Sequence, residues 1–261
     1  MSNKINFILA VFLGFVTANA KNHIQNNNIN INKLNTSLKP ETLNSFIYEG
    51  GWPYNKDKDS LYKSGFSSNC PGDISCECIS DKDCKNNNCM RYPRGSYCSP
   101  KEGTILPRFQ MIDQFGQLVD IYDFAGHNKY ILIELSAAWC KPCNQLSSWL
   151  TYNDLECTRQ AWWRPDYVKI KSLIETGEVV MINIQYGDKF RDNASLLSIQ
   201  DWYSRYPHEL IPVLADSDKL LHSWLKPTGI PTIILLNDKM EIIQPASRGL
   251  NDAFDKLLDI F

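Results

Sequence analysis

The sequence predicts an α/β domain preceded by a small disulfide-rich module. Three observations lead to this fold class. Segments of strand and helix character alternate after Gly103, which is the pattern of α/β domains. Two of them, 130–136 and 179–184, are almost entirely apolar and rich in β-favouring residues, as are strands buried on both faces. Six of the nine cysteines lie between Cys70 and Cys98, a density typical of small secreted modules held by disulfides.

Apolar periodicity predicts the remaining elements of the domain at 103–261. Apolar residues at three- and four-residue spacing indicate helices, and Gly177 ends the second of them. Short apolar runs indicate strands, and the turn at 237–238 makes the last two strands a hairpin. The predicted helices are 143–152, 167–175, 195–206, 219–225 and 252–260. The predicted strands are 130–136, 179–184, 211–215, 231–236 and 241–243.

Charge and composition exclude two classes of protein. The 261 residues are 43% hydrophobic, and 27 basic side chains stand against 29 acidic ones, for a formal net charge of -2. A nucleic-acid coat needs a basic excess that this chain lacks, and a fully disordered chain contains fewer apolar residues. We therefore expect a folded protein that does not bind nucleic acid.

Residues 1–20 predict a signal peptide. A short apolar run at 7–16 follows Lys4, and Ala-Asn-Ala at 18–20 fits the small-x-small cleavage pattern. A membrane-spanning helix needs about 20 apolar residues, so cleavage is predicted, with an uncleaved N-terminal anchor as the alternative. Residues 21–45 are rich in asparagine and predict a linker. We expect an exported protein, periplasmic or extracellular, with no stable membrane span after cleavage.

Residues 46–102 predict the cysteine-rich module. Its cysteines stand among Pro, Gly, Asp and Asn without a long hydrophobic period, so disulfides must replace the missing core. Zinc is the alternative, although no Cys-x2-Cys pair occurs among the six. We predict three bridges within the module, in a pairing that the spacing leaves open. The cysteines concerned are Cys70, Cys76, Cys78, Cys84, Cys89 and Cys98.

The segment Cys140-Lys141-Pro142-Cys143 carries the chemistry. It lies between a buried strand and a predicted helix. Unpaired N–H groups at a helix N-terminus lower the pKa of a thiol placed there, and two cysteines three residues apart face each other closely enough to form a disulfide. A redox site is therefore predicted, with a structural disulfide or half of a zinc site as the alternative. Cys157 has no predicted partner. It is either a buried small side chain or forms a disulfide with the cysteine-rich module.

Residues 138–143, Ala-Trp-Cys-Lys-Pro-Cys, resemble the active-site motif of the thioredoxin superfamily. Gly-Ile-Pro-Thr at 229–232 resembles the cis-proline loop of that family, and 107–119 resembles the N-terminal addition of secreted TlpA/ResA-type redoxins. The resemblance covers about 104–261 and implies a three-layer α/β/α sandwich. It also implies a loop that lies against the two cysteines and binds substrate peptide. The substrate-binding residues so implied are Trp139, Ile230, Pro231 and Thr232.

Glu134 is a candidate proton acceptor. It lies within an apolar strand, six residues before Cys140, and burial raises the pKa of a carboxyl group towards neutrality. Members of the resembled family carry a buried aspartate at this place, which serves the second cysteine. The alternative is a glutamate at the strand edge that points to water.

The sequence as a whole predicts an exported thiol–disulfide oxidoreductase that reduces or isomerises disulfides in proteins. Cys140 would attack the substrate disulfide, and Cys143, deprotonated with help from Glu134, would resolve the mixed disulfide. No cofactor and no metal are expected, and the expected partners are protein thiols or disulfides and an unidentified redox protein. The alternative is a secreted cysteine-rich binding module on a redox-inert scaffold. A thiol peroxidase is less well supported, because the chain has no Thr-x-x-Cys nucleophile.

Overall fold

The computed structural model of the chain describes residues 48–61, 66, 69–92 and 95–261, with the side chain of residue 61 excepted. The predicted signal peptide at 1–20 and linker at 21–45 lie outside these residues. Among the described residues, no helix is both long and apolar enough to cross a membrane. All described residues belong to one compact unit.

Nine strands and six α-helices lie in the described part of the chain. The strands are β1 Cys89–Tyr92, β2 Gly95–Cys98, β3 Gln110–Asp113, β4 Leu118–Asp120, β5 Tyr130–Ser136, β6 Val179–Gln185, β7 Val213–Ala215, β8 Thr232–Leu236 and β9 Ile242–Arg248. The helices are α1 Lys58–Leu61, α2 Lys141–Tyr152, α3 Val168–Glu175, α4 Leu196–Arg205, α5 Leu220–Leu225 and α6 Asn251–Leu258.

Seven strands form one mixed sheet in the order β4-β3-β7-β6-β5-β8-β9. β5, β6 and β7 run parallel, and the strands on either side of them pair antiparallel. β5 is central, between β6 and β8, and all of its side chains except that of Tyr130 are buried. The continuous apolar run in the sequence therefore corresponds to a strand covered on both faces, as predicted.

Helices cover both faces of this sheet. Alternate side chains of β5 enter two different cores, with Leu132 on one face and Ile131 and Ile133 on the other. The core around Leu132 contains apolar side chains of α2, α3 and α6, and the opposite core contains those of α5 and of a short 3-10 helix at Ile121–Phe124. The predicted three-layer α/β/α arrangement is thus confirmed.

Several element boundaries differ from the predictions. The antiparallel pair β3–β4 was not among the predicted strands, because the buried end of β3 is the carboxylate Asp113, which breaks the apolar alternation. β9 continues to Arg248 instead of ending at 243, because it is an edge strand whose continuation, Gln-Pro-Ala-Ser-Arg, is half-exposed or exposed and has no apolar run. The short β7 starts at Val213, after the proline at 212, instead of at 211.

The cysteine-rich module contains three disulfides, as predicted. The pairs are Cys70–Cys76, Cys78–Cys89 and Cys84–Cys98. The β1–β2 hairpin contributes Cys89 and Cys98, which face each other across its register, and each is bonded to the preceding loop. Cys76, Cys84 and Cys98 are buried, so the sulfurs themselves form much of the small interior. Because all six sulfurs are in bridges, none is available as a thiolate ligand for zinc.

Residues 48–59, which precede the cysteines of the module, are bonded to the α/β domain. The Tyr48 hydroxyl donates to a carboxylate oxygen of Asp123 at 2.6 Å, and the Trp52 indole N–H donates to Asp113 Oδ2 at 2.9 Å. The Lys58 ammonium group also contacts Asp123. Both carboxylates are completely buried, and a buried carboxylate needs such donors. The segment therefore supplies hydrogen bonds that the interior of the α/β domain requires.

Replacing Trp52 by phenylalanine is expected to lower the free energy of unfolding by about 1–3 kcal/mol, because Asp113 Oδ2 would lose its indole donor while most of the apolar burial is kept. Asp113 Oδ1 would keep its bonds from the backbone N–H groups of Phe115 and Gln117. Urea unfolding measures the change. The control is Tyr54→Phe, on a side chain that is 41% exposed, and its cost should stay within about 0.5 kcal/mol. Equal effects of both variants would contradict the role given to this bond.

Candidate active site

The N-terminus of α2 holds a disulfide between Cys140 and Cys143. Cys140 is the N-cap residue, and its Sγ accepts a hydrogen bond from the backbone N–H of Cys143 at 3.2 Å. Pro142 lies in the first turn, where its missing N–H costs no hydrogen bond. The helix begins at Lys141, two residues before its predicted start, because Cys140 already caps it. The bridge joins Cα atoms 5.3 Å apart.

The two cysteines have different surroundings. Cys143 is fully buried, whereas 3% of Cys140 is exposed. The free N–H groups and the positive end of the helix dipole lie on the side of Cys140, and both stabilise a thiolate. The arrangement therefore favours Cys140 as the attacking sulfur and Cys143 as the resolving sulfur.

The loop before β8 lies against this disulfide. The peptide bond between Ile230 and Pro231 is cis, as the resemblance implies. Ile230 packs in the same apolar cluster as Cys140 and Cys143. Pro231 and Thr232 are buried, and the Thr232 hydroxyl donates to the carbonyl oxygen of Gly229 at 2.6 Å. The loop thus has a fixed shape next to the sulfurs.

Glu134 is completely buried in β5. Its Oε2 accepts a hydrogen bond from Asn183 Nδ2 at 2.7 Å, while its Oε1 has no hydrogen-bond partner among the described residues. Burial raises the pKa of this carboxyl group to about 7, and the bond from Asn183 opposes part of that rise. The side chain therefore does not point to water, and it can gain and lose a proton near neutral pH.

Glu134 faces the helix that carries the cysteines. It shares a face of β5 with Leu132, which packs in the core that includes α2. Glu134 and Ser147 of α2 both line a cavity of about 20 Å³, which is close to the volume that one water molecule needs. Ser147 lies one helical turn after Cys143. The carboxyl group thus lies on the inner side of α2.

Trp139 is held by an aromatic and a cationic neighbour. Its ring meets the ring of Tyr186 edge-on at a centroid distance of 6.4 Å, and the Arg191 guanidinium lies 4.1 Å from its ring centroid. Gly187 gives the indole room, since a Cβ there would lie 3.2 Å from the indole nitrogen. Neither Tyr186 nor Arg191 was a predicted site residue, because no sequence spacing links them to Trp139.

Asn144 is a further residue that the sequence analysis missed. Its side-chain amide donates to the carbonyl oxygens of Cys140 at 2.7 Å and Ala138 at 3.1 Å. Arg205 at the end of α4 and the hydroxyl of Tyr206, the C-cap residue of α4, both donate to its Oδ1 at 3.0 Å. Asn144 therefore fixes the turn that carries the sulfur of Cys140. A polar residue directly after the motif is the only signal in the sequence.

Cys157 is a buried free thiol. Burial raises the pKa of this thiol to about 12, with further contributions from Glu134 and Asp154. The module cysteines are all bridged to one another, so the alternative in which Cys157 pairs with one of them is wrong. At such a pKa the sulfur stays protonated and acts as a small apolar side chain.

No protein-family model matches the sequence, and no curated protein matches it. Several solved structures are similar to part of the chain. The thioredoxin domain of a thiol-disulfide oxidoreductase from Bacteroides vulgatus is 18% identical, with a TM-score of 0.43, over 62% of this chain and 99% of that one. A thiol:disulfide interchange protein from Bacteroides sp. is 17% identical, with a TM-score of 0.42, over 61% and 89%. A thiol-disulfide oxidoreductase from Bacteroides fragilis is 14% identical, with a TM-score of 0.43, over 60% and 100%.

The order of elements around the disulfide decides the fold. The central strand β5 leads into Cys140, α2 begins at the bridge, and a cis-proline precedes β8, the antiparallel neighbour of β5. The fold is thioredoxin-like. Within the thioredoxin-like domain, Trp139 and Ile230 join the two cysteines in one cluster. Pro231 and Thr232 follow Ile230 in the chain and are buried, and Glu134 lines a cavity together with Ser147 of α2.

Proposed function

We propose that this protein is an exported thiol–disulfide oxidoreductase that reduces or isomerises disulfides in protein substrates. The observation that carries the proposal is the Cys140–Cys143 disulfide at the N-terminus of α2, packed against the cis-proline loop. A bridge that only stabilised the fold would need neither a helix N-terminus nor a neighbouring loop able to receive a peptide. The two sulfurs lie at a helix N-terminus, which stabilises a thiolate and so favours thiol–disulfide exchange.

The reaction begins from the dithiol. The Cys140 thiolate attacks one sulfur of the client disulfide, a mixed disulfide forms, and the other client sulfur leaves as a thiolate. Cys143 then passes its proton to the Glu134 carboxylate and attacks Cys140 Sγ, which re-forms the bridge and releases the second client sulfur as a thiolate. Both client thiolates take up protons from water. Two electrons pass to the client, so an external dithiol must reduce the bridge again; in isomerisation the client itself returns the electrons.

Export is supported by the chemistry of the module. Three disulfides supply much of its interior, and such bridges persist in oxidising compartments. The predicted signal peptide at 1–20 leads to the same location. We therefore place the enzyme in the periplasm or outside the cell, with protein thiols and disulfides as its partners.

An insulin-reduction assay with dithiothreitol as the electron donor tests the activity. The mature protein should accelerate the reduction of insulin, whereas the double variant Cys140→Ala/Cys143→Ala should leave only the rate of dithiothreitol alone. Lys239→Ala, on an exposed residue beyond the end of β8 that lies opposite the cis-proline loop, is the control and should keep the wild-type rate. If the wild-type protein gives no acceleration, the alternative of a binding module on a redox-inert scaffold replaces the proposal.

A further inference from the structure

The cysteine-rich module and the cis-proline loop together form a groove of about 480 Å³. We call it the module groove. Its walls are two tyrosines of the module, three residues of the thioredoxin-like domain and the loop itself. They are Tyr92, Tyr97, Tyr186, His222, Lys226 and the loop 227–230. Grooves of this volume are typical of sites that bind several side chains or a small ligand.

The module groove is continuous with the active site. Ile230 lines the groove and also packs against the apolar cluster that contains Cys140 and Cys143. Tyr186 lines it as well, and its other neighbour is the ring of Trp139, directly before the attacking cysteine. A chain held at the cis-proline loop therefore runs on into the groove without leaving the surface of the protein.

Aromatic rings dominate the module groove. The rings of Tyr92 and Tyr97 lie 6.0 Å apart on the module side, and the rings of Tyr186 and His222 lie 4.4 Å apart on the other side. The Lys226 ammonium group lies 4.8 Å from the Tyr97 ring centroid and so links the two sides. Ring walls of this kind bind aromatic side chains by stacking and edge contacts.

The charge of the groove is positive. Lys226 lies in its wall, and none of its described lining residues is a carboxylate. Arg248 adds a second cation beside the loop, since its side chain passes so close to Gly229 that an added Cβ would lie 2.8 Å from Arg248 Cδ. A bound segment with acidic side chains would complement these charges, and a basic segment would be repelled.

We propose that the module groove binds an extended segment of the client polypeptide, adjoining its reactive cysteine and containing acidic and aromatic residues. The inference rests on the proposed function for the identity of the client, but the binding itself does not need exchange chemistry. On this proposal the module is a specificity element. Its two tyrosines select which disulfides reach Cys140.

Binding is measured first, without any thiol in the probe. The probe is the fluorescein-labelled peptide Gly-Ser-Asp-Tyr-Glu-Phe-Gly, followed by fluorescence anisotropy with the oxidised full-length protein. Lys226→Glu and Tyr97→Ala should each weaken binding by about tenfold, and Tyr97→Phe should restore it. A peptide with Lys in place of Asp and Glu should bind the wild-type protein at least tenfold more weakly. Lys239→Glu, the same charge change on an exposed residue at the other end of β8, is the matched control and should bind normally.

Exchange rates separate this proposal from the proposed function. With a disulfide-linked form of the acidic peptide as substrate, Lys226→Glu should raise KM about tenfold at unchanged kcat. The rate with 2-hydroxyethyl disulfide, which is small and uncharged, should not change. If the acidic and basic peptides bind equally well, or if Lys226→Glu binds with wild-type affinity, the proposal for the module groove is wrong, and the proposed oxidoreductase activity is unaffected. If the wild-type protein exchanges with neither disulfide, the proposed oxidoreductase activity is wrong. The anisotropy measurement alone then tests whether the module groove binds the peptide.

Discussion

Replacing Cys143 by alanine is expected to leave the protein covalently joined to client proteins, whereas replacing Cys140 is not. In Cys143→Ala the Cys140 thiolate still attacks the client disulfide, but no second sulfur is available to release the client. The mixed disulfide then decays only by uncatalysed exchange, over about minutes to hours. Non-reducing gels measure the trapped fraction after each variant, in its reduced form, is incubated with an extract whose free thiols are alkylated and whose disulfides are left intact.

The asymmetry follows from the surroundings of the two sulfurs. Cys140 caps α2 and accepts the N–H of Cys143, whereas Cys143 is fully buried beneath it. In Cys140→Ala the remaining thiol has neither access to a client nor the helix N–H groups that stabilise a thiolate. Wild-type protein and the double variant are the controls, and neither should accumulate complexes. Equal trapping by both single variants would contradict the assignment of attacking and resolving roles.

Local signals in the sequence were enough for the central part of the fold and for the redox motif. The apolar run at 130–136 identifies the buried strand β5, because a strand covered on both faces leaves almost no polar position. The spacing of Cys140 and Cys143 after that run identifies the bridge at the helix N-terminus. The burial of Glu134 was one of two alternatives that the sequence left open, and the structure selects it.

Contacts between distant parts of the chain were not predictable. The module cysteines allowed many pairings, and only the folded hairpin selects Cys78–Cys89 and Cys84–Cys98. The approach of Lys226 to Tyr97 joins residues far apart in the chain and has no spacing that could reveal it. The contact between the Arg191 guanidinium and the Trp139 ring also joins residues that no sequence spacing links. The central site is local in the sequence, whereas the residues that shape its surroundings meet only in the fold.

Replacing Glu134 by glutamine is expected to remove a pH dependence of stability that the wild-type protein shows between about pH 4.5 and pH 7. The pKa of this carboxyl group is raised from 4.5 to about 7 by burial. Within that window the unfolded chain has released the proton and the folded chain retains it, so the free energy of unfolding falls as pH rises. At about 1.4 kcal/mol for each pKa unit, the loss amounts to about 3 kcal/mol at pH 8.

The oxidised protein is the right material for this measurement, because its two active-site cysteines do not titrate. His208 lines the same cavity, and burial lowers the pKa of its imidazole, so it contributes a slope of the opposite sign. His208→Gln in both backgrounds removes that contribution. Between pH 5 and pH 8 the free energy of unfolding, measured with urea, should fall by about 2–3 kcal/mol less in Glu134→Gln than in the wild-type protein. Glu102→Gln, at an exposed glutamate, should behave as the wild-type protein does. A pH difference that is the same in Glu134→Gln as in the wild-type protein would contradict the raised pKa.

The kinetic effect of Glu134→Gln should fall on one step of the reaction. The amide can still accept the hydrogen bond from Asn183, so the geometry of β5 is kept, but it cannot accept the proton of Cys143. Attack by Cys140 should proceed at the wild-type rate, while resolution of the mixed disulfide should slow by about tenfold or more at pH 7. Stopped-flow quenching of the Trp139 fluorescence separates the two steps. Because the same substitution stabilises the fold at pH 8, a slower second step cannot be attributed to unfolding; slowing of both steps alike would mean that Glu134 positions the helix and does not exchange the proton.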